Sequence, residues 1–205
     1  MRGLRMKNVL LLALALVSAG ILSACGSVAP VPEDQFYRLR AKAPSTALSK
    51  PLLQGTLVVE RFVADGLTAG RPLVFSEAGK PYQVKEFHYH FWTQPPTVML
   101  RDELVNYLRA RKVADVVVTP EMRVTPDYVL IGKINRLEKV NGSPPKAVLE
   151  IELGVRKVRG GKLVILDTYR VETQSSGSGV DAAVESLNIS LTDVYAEFIA
   201  ALSKK

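Results

Sequence analysis

In Leu149-Glu150-Ile151-Glu152-Leu153-Gly154-Val155-Arg156 the apolar residues Leu149, Ile151, Leu153 and Val155 strictly alternate with Glu150, Glu152, Gly154 and Arg156. A period of two sends successive side chains to opposite faces of a strand, so this stretch predicts one dry face and one wet face. Sheets with one solvated face are characteristically antiparallel. The stretch lies inside a longer strand expected at 146–158, and its neighbours share its character. A strand at 128–140 precedes it across Asn141-Gly142-Ser143-Pro144-Pro145, and one at 163–173 follows it across Arg159-Gly160-Gly161-Lys162. Both connections carry Gly, which supplies turn backbone angles, and the first also carries Pro, which fixes them.

Toward the N-terminus, β-type residues predict strands at 35–40, 52–63, 72–76, 82–92 and 116–118. The pair 72–76 and 82–92 reads as a hairpin across Glu77-Ala78-Gly79-Lys80. Alternation along 82–92 places Tyr82, Val84, Glu86, His88, His90 and Trp92 on one face, and Gln83, Lys85, Phe87, Tyr89 and Phe91 on the other. Residues 97–112 carry Leu100, Leu104, Tyr107 and Leu108 at helical spacing, behind prolines that a first helical turn tolerates. The Ser/Gly stretch 174–179 leads to a last helix, with Asp181 as expected N-cap and Val184, Leu187, Leu191, Val194, Tyr195, Phe198 and Leu202 as its apolar stripe. The expected fold is therefore α+β: a single two-layer domain, a mostly antiparallel sheet with two amphipathic helices packed on one face.

The chain has 205 residues, 47% of them hydrophobic, with net charge +7 and one cysteine. One cysteine excludes an internal disulfide framework and a Cys-rich zinc site. Arg2, Arg5 and Lys7 precede an apolar run from Val9 to Leu22, which is short of the roughly 20 residues that span a bilayer. A basic segment ahead of a short apolar run reads as an export signal. The run ends in Leu22-Ser23-Ala24-Cys25-Gly26, which matches the lipobox of bacterial lipoproteins. On that reading residues 1–24 are a lipoprotein signal peptide, and Cys25 receives diacylglycerol on sulfur and an acyl chain on its new amine. Residues 25–34, with Pro30 and Pro32, form an extended tether. Met1 and Met6 are alternative starts with the same mature product. Gly26, rather than Asp, follows the acylated cysteine and favours the outer membrane over the inner. Cleavage removes three of the 27 basic residues and none of the 20 acidic ones, so the net charge falls from +7 to +4. That modest charge and the export signal exclude nucleic acid as a partner.

Catalytic and metal-binding patterns are absent from the sequence. His88 and His90 supply two ligands at most, with no cysteine or carboxylate set to complete a metal site. There is no G-x-S-x-G nucleophile elbow and no Walker spacing. No catalytic, cofactor-binding or metal residues are expected, and the covalent lipid is the only non-protein group. Lys146, Arg156, Lys157, Arg159 and Lys162 read as a cationic rim around one hairpin. The aromatics of 87–92 are core or contact residues; Tyr89, Phe91 and Trp92 are the candidates for a surface facing a partner or lipid.

Several of these stretches occur together in one known family. Phe36-Tyr37-Arg38-Leu39 follows the tether, then Leu57-Val58-Val59-Glu60, then Gly70-Arg71-Pro72-Leu73-Val74-Phe75. Tyr82 to Pro96 then ends in Trp92-Thr93-Gln94-Pro95-Pro96, with Met99-Leu100 and Leu104 behind it. This resembles the ABC-type transport auxiliary lipoproteins (PqiC-like), over nearly the whole mature chain and most specifically from Trp92 to Leu100. Phe91 and Phe36 depart from residues that the family pattern commonly carries. The resemblance implies an auxiliary domain at 35–205 that is not an enzyme. It implies a periplasmic accessory lipoprotein that works with an MCE-domain protein and an ABC permease and ATPase to move lipids or other hydrophobic molecules between the two membranes. Ring assembly as a homo-oligomer fits that role. The alternative is a structural envelope lipoprotein that scaffolds an outer-membrane assembly without transport.

Overall fold

The computed structural model describes residues 31–205. Residues 1–30, and with them the expected signal peptide, Cys25 and most of the expected tether, lie outside the described residues. The domain from Asp34 to Lys205 contains nine strands and two α-helices. The strands are β1 (Gln35–Tyr37), β2 (Leu53–Val59), β3 (Val63–Ala64), β4 (Pro72–Glu77), β5 (Lys80–Trp92), β6 (Ala114–Val118), β7 (Tyr128–Asn141), β8 (Lys146–Lys157) and β9 (Leu163–Gln174). The helices are α1 (Pro96–Arg111) and α2 (Val180–Leu202).

All nine strands join one mixed sheet in the order β1-β5-β4-β7-β2-β6, with β3 and β8 also on β7 and β9 on β8. The long pairings, β7 with β8 and β8 with β9, are antiparallel and run almost the full strand length. Its other edge is divided among β2, β3 and β4, all parallel to β7. Parallel neighbours require crossovers, and α1 and the segments around it provide them. The expected strand 52–63 is accordingly two pieces: the chain leaves the ladder after Val59 and re-pairs at Val63 further along β7.

Ala147, Leu149, Ile151, Leu153 and Val155 of β8 are all buried and share one core with both helices. The stripe read from α2 is buried in full. Fully burying one Leu or Val contributes roughly 1.5–3 kcal/mol, so this face carries most of the driving force. The two helices meet through Tyr195, whose hydroxyl donates to the Leu100 carbonyl at 2.6 Å and whose ring meets Tyr107 edge-on at 5.7 Å. Burial, and secondarily the Glu103 carboxylate, push the Tyr195 hydroxyl pKa well up, so it stays a donor. Asp181 is not the N-cap of α2: Gly179 occupies that position, and Asp181 sits in the first turn, where its charge still complements the helix dipole. At the far end of α1, Lys112 adopts a left-handed conformation (φ 55°) and closes the helix through hydrogen bonds to the carbonyls of Leu108 and Arg109.

The opposite face of β8 and β9 is mostly polar, with Val148 and Leu166 as its apolar members. Arg170 donates to Glu172 at 2.5 Å and to Glu150 at 3.1 Å, and Lys146 also pairs with Glu172. Lys146 therefore belongs to this cross-strand ladder. It lies at the opposite end of β8 from Arg156, Lys157 and the turn with Arg159 and Lys162, so the cationic rim expected from sequence is split by the length of the strand.

The hydrogen bonds from Arg170 and then Lys146 hold the Glu172 carboxyl at about 2, below its ordinary 4.5. A lowered native pKa stabilises the fold above the unfolded-state value and loses that contribution as pH falls toward the native one. At neutral pH the wild type should melt above Glu172→Gln by no more than about 4 °C, since exposed pairs contribute little. The gap should close as pH falls from about 4.5 to about 2, read by melting curves of both proteins across that range.

Candidate functional site

β5 is thirteen residues long and its hairpin partner β4 only six. The surplus is taken up at two irregularities. Register jumps from Glu77↔Lys80 to Ser76↔Val84, so residues 81–83 bulge out near the turn. It jumps again from Val74↔Glu86 to Pro72↔Phe91, so residues 87–90 stand opposite the single Leu73. Bulges re-aim side chains, and these two break the simple alternation expected along 82–92. Tyr82 is 99% exposed while Trp92, expected on the same face, is 2% exposed.

On its other edge, from the last residue of the second bulge, β5 pairs in parallel with β1, matching Gln35 to His90, Phe36 to Phe91 and Tyr37 to Trp92. An aromatic edge results. Phe36, 55% exposed, lies 5.9 Å from the Phe91 ring, and the Arg71 guanidinium sits 5.5 Å over Phe36. Arg71 also donates from Nε to the Trp92 carbonyl at 3.0 Å, and the Arg71 carbonyl accepts from the Trp92 amide at 2.7 Å. The Tyr37 hydroxyl donates to Gln35 Oε1 at 2.7 Å and lies 2.9 Å from His90 Nδ1. A hydroxyl has one hydrogen to give, so with Gln35 taking it, His90 Nδ1–H is the donor of the second bond. Burial, with a smaller contribution from Asp181, raises the Tyr37 pKa and keeps the hydroxyl protonated. Phe87 packs against Phe75 at 4.5 Å and meets His90 edge-on at 5.3 Å.

Of the three aromatic residues expected to form a surface, the structure separates one from the other two. Tyr89 is exposed at 38% and Phe91 is half-buried, so both remain available to a contact. Trp92 is a core residue beneath α1, because β5 regains regular pairing with β1 at its last residues and turns the indole inward ahead of Pro95 and Pro96. It is removed from the candidate surface. Phe36, Tyr37 and Arg71 complete the edge. Their residue types predict a strand and a charge, but nothing local predicts a parallel pairing across more than fifty residues. His88 is exposed within the second bulge while His90 turns toward Tyr37, so the two histidines do not act as a pair. Among the described residues, no three His, Cys, Asp or Glu side chains are grouped to hold a metal ion, and no helix is long and apolar enough to cross a membrane. The arrangement offers contact chemistry: aromatic faces, one guanidinium and a fixed imidazole donor.

Trp92→Ala should cost about 3–5 kcal/mol of unfolding free energy, as a large aromatic removed from a core. Phe91→Ala, on a half-buried ring, should cost about 1 kcal/mol. Urea unfolding of the two variants reads the difference, and equal losses would place both rings in the same environment.

Comparison with solved structures gives the fold. A Xanthomonas campestris protein of the DUF330 family superposes with a TM-score of 0.69 at 21% identity, covering 80% of this chain and 92% of that one. An uncharacterized protein superposes with a TM-score of 0.67 at 18% identity, over 84% of this chain and 100% of that one. A hypothetical protein from Chlamydia trachomatis follows at a TM-score of 0.51 and 8% identity, over 73% and 96% of the two chains. Among curated proteins none matches the chain. A family model matches residues 37–200, from the tyrosine of β1 to the last turns of α2, and the chain belongs to the family of the ABC-type transport auxiliary lipoprotein component.

Proposed function

We propose that this protein is a membrane-anchored, periplasmic accessory lipoprotein of an ABC/MCE-type system that moves lipids or other hydrophobic molecules between the inner and outer membranes. One observation carries the reading: a family match over residues 37–200 stands directly behind a lipobox that ends at the chain's single cysteine, Cys25. The family supplies the transport context, and the lipobox supplies the anchor. Three acyl chains hold a protein on a bilayer stably, where one holds it only marginally.

The role is one of docking and not of catalysis. The most distinctive side-chain arrangement in the domain is the aromatic edge of β1 and β5, which suits a protein contact. The partners of this reading are an MCE-domain protein and the permease and ATPase of the transporter, met from the periplasmic side of the outer membrane. Assembly into a homo-oligomer belongs to the same reading, with Phe36, Tyr89 and Phe91 as contact residues.

Cys25→Ala should leave the domain folded and release it from the membrane fraction, with loss of function in cells. Cross-linking of the wild-type chain in intact cells should capture an MCE-domain or ABC component. A fully functional soluble variant would remove the anchor from the mechanism. Capture of outer-membrane or cell-wall scaffolding proteins without transporter components would favour the scaffold role instead.

A further inference from the structure

The β4–β5 hairpin ends in a patch that the fold leaves unused. Ala78 and Gly79 make its turn, Gly79 with φ 80°. The first bulge of β5 then thrusts Tyr82 into solvent at 99% exposure, with Val84 at 41% beside it. Lys80 stands at the turn, and Lys85 lies on the other face of the strand with its Nζ 5.9 Å from the centre of the Phe75 ring; both are exposed. The carboxylates of the hairpin are withdrawn by comparison. Glu77 is half-buried and accepts from Asn141 Nδ2 at 3.0 Å, and Glu86 is half-buried further along β5. A tyrosine and a valine between two lysines is the composition that favours a membrane interface, where an amphipathic ring sits at headgroup depth and cations meet anionic headgroups.

The direction of the chain selects the same end of the domain. β1 runs parallel to β5, with Gln35 beside His90, so the N-terminal end of β1 points toward the hairpin tip. β4 has six residues, which sets the tip roughly 20 Å beyond β1 along the sheet. Cys25 precedes Gln35 by ten residues, and ten residues span at most roughly 36 Å. A chain acylated at Cys25 therefore has enough length to let the tip reach a bilayer, with only a few residues of slack. The turn Arg159–Lys162 is at the opposite end of the sheet, and the tether would have to double back to present it.

We infer that the β4–β5 hairpin tip, through Tyr82, Val84, Lys80 and Lys85, is a second membrane contact that rests on an anionic phospholipid surface and fixes the orientation of the domain on it. The inference rests on the proposed acylation of Cys25. Contact at the tip holds the sheet upright on its anchor and turns the far end of β7, β8 and β9 toward the periplasm.

The test uses the full acylated protein in vesicles of phosphatidylethanolamine and phosphatidylglycerol with brominated acyl chains, which quench nearby tryptophan. Trp92 is buried and supplies a constant background. In Tyr82→Trp the added emission should fall roughly twofold relative to unbrominated vesicles, as for a ring at the headgroup–acyl boundary. Leu163→Trp, exposed at the opposite end, should be unaffected. Lys80→Glu with Lys85→Glu in the Tyr82→Trp protein should reduce the quenching. An anchored protein whose residue 82 is unquenched overturns the inference and leaves the anchor intact. Equal quenching at 82 and 163 overturns it as well, as does protection of residue 82 from both bromine and aqueous acrylamide, which would mark a protein contact. Failure of the protein to enter vesicles at all would overturn the anchor reading, and this one with it.

Discussion

β7 carries hydrogen-bonding partners along both edges of its fourteen residues, and every other element takes its place from that arrangement. On one edge β8 pairs with it from Tyr128 to Val140, interrupted only where Asn135 bulges. On the other, three short segments share the edge in turn: β2 at 128–130, β3 at 133–134 and β4 at 138–141. A buried strand must satisfy its backbone groups on both sides, so the divided edge is a requirement and not an ornament. It forces the chain to cross over the sheet and return parallel, and those crossovers bring α1 onto the face that α2 also covers.

Phe62 and Gly132 illustrate how tightly the centre is specified. A side chain at Gly132 would meet the Phe62 ring at 2.6 Å, so the residue opposite the break between β2 and β3 has to be glycine for that ring to lie in the core. The two faces of the sheet then differ in kind. The inner face is mostly hydrocarbon under both helices, with Thr173 hydrogen-bonded to Ser190 at 2.8 Å beneath α2. Along β8 and β9 the outer face bears the Lys146–Glu172–Arg170–Glu150 ladder, whose strength is limited by its exposure to water. Most apolar burial is on the inner face, although Val74, Val140 and Val148 are buried on the outer one.

The aromatic edge follows from a mismatch of lengths. A thirteen-residue strand hydrogen-bonded to a six-residue one has to shed its surplus, and the two bulges of β5 are where it does so. One bulge exposes Tyr82. The other returns the strand to β4 at Pro72, with β1 as a parallel partner on its opposite edge, and buries Trp92. The same device therefore creates an exposed tip, a mixed aromatic edge and a core anchor within a single strand. Within one strand this separates the buried residue that stabilises the core from residues left exposed to solvent.

Local patterns were sufficient for much of this. Alternation in 149–156 determined a strand with one dry face, the 3–4 spacing of Val184 to Leu202 determined a buried helical stripe, and the Gly- and Pro-bearing turns determined where hairpins close. These features depend on residues within one or two turns of each other, where sequence spacing is spatial spacing. The lipobox-like stretch ending at Cys25 is likewise contiguous in sequence, and its acylation belongs to the proposed function. The tertiary structure alone decided the parallel pairings of β2, β3 and β4 on β7, the docking of β1 against β5, and the burial of Trp92 beside an exposed Tyr89. Each of these depends on a partner distant in sequence, chosen by which backbone edge remains unpaired once the long antiparallel ladders have formed, and that competition leaves no periodic trace in the chain.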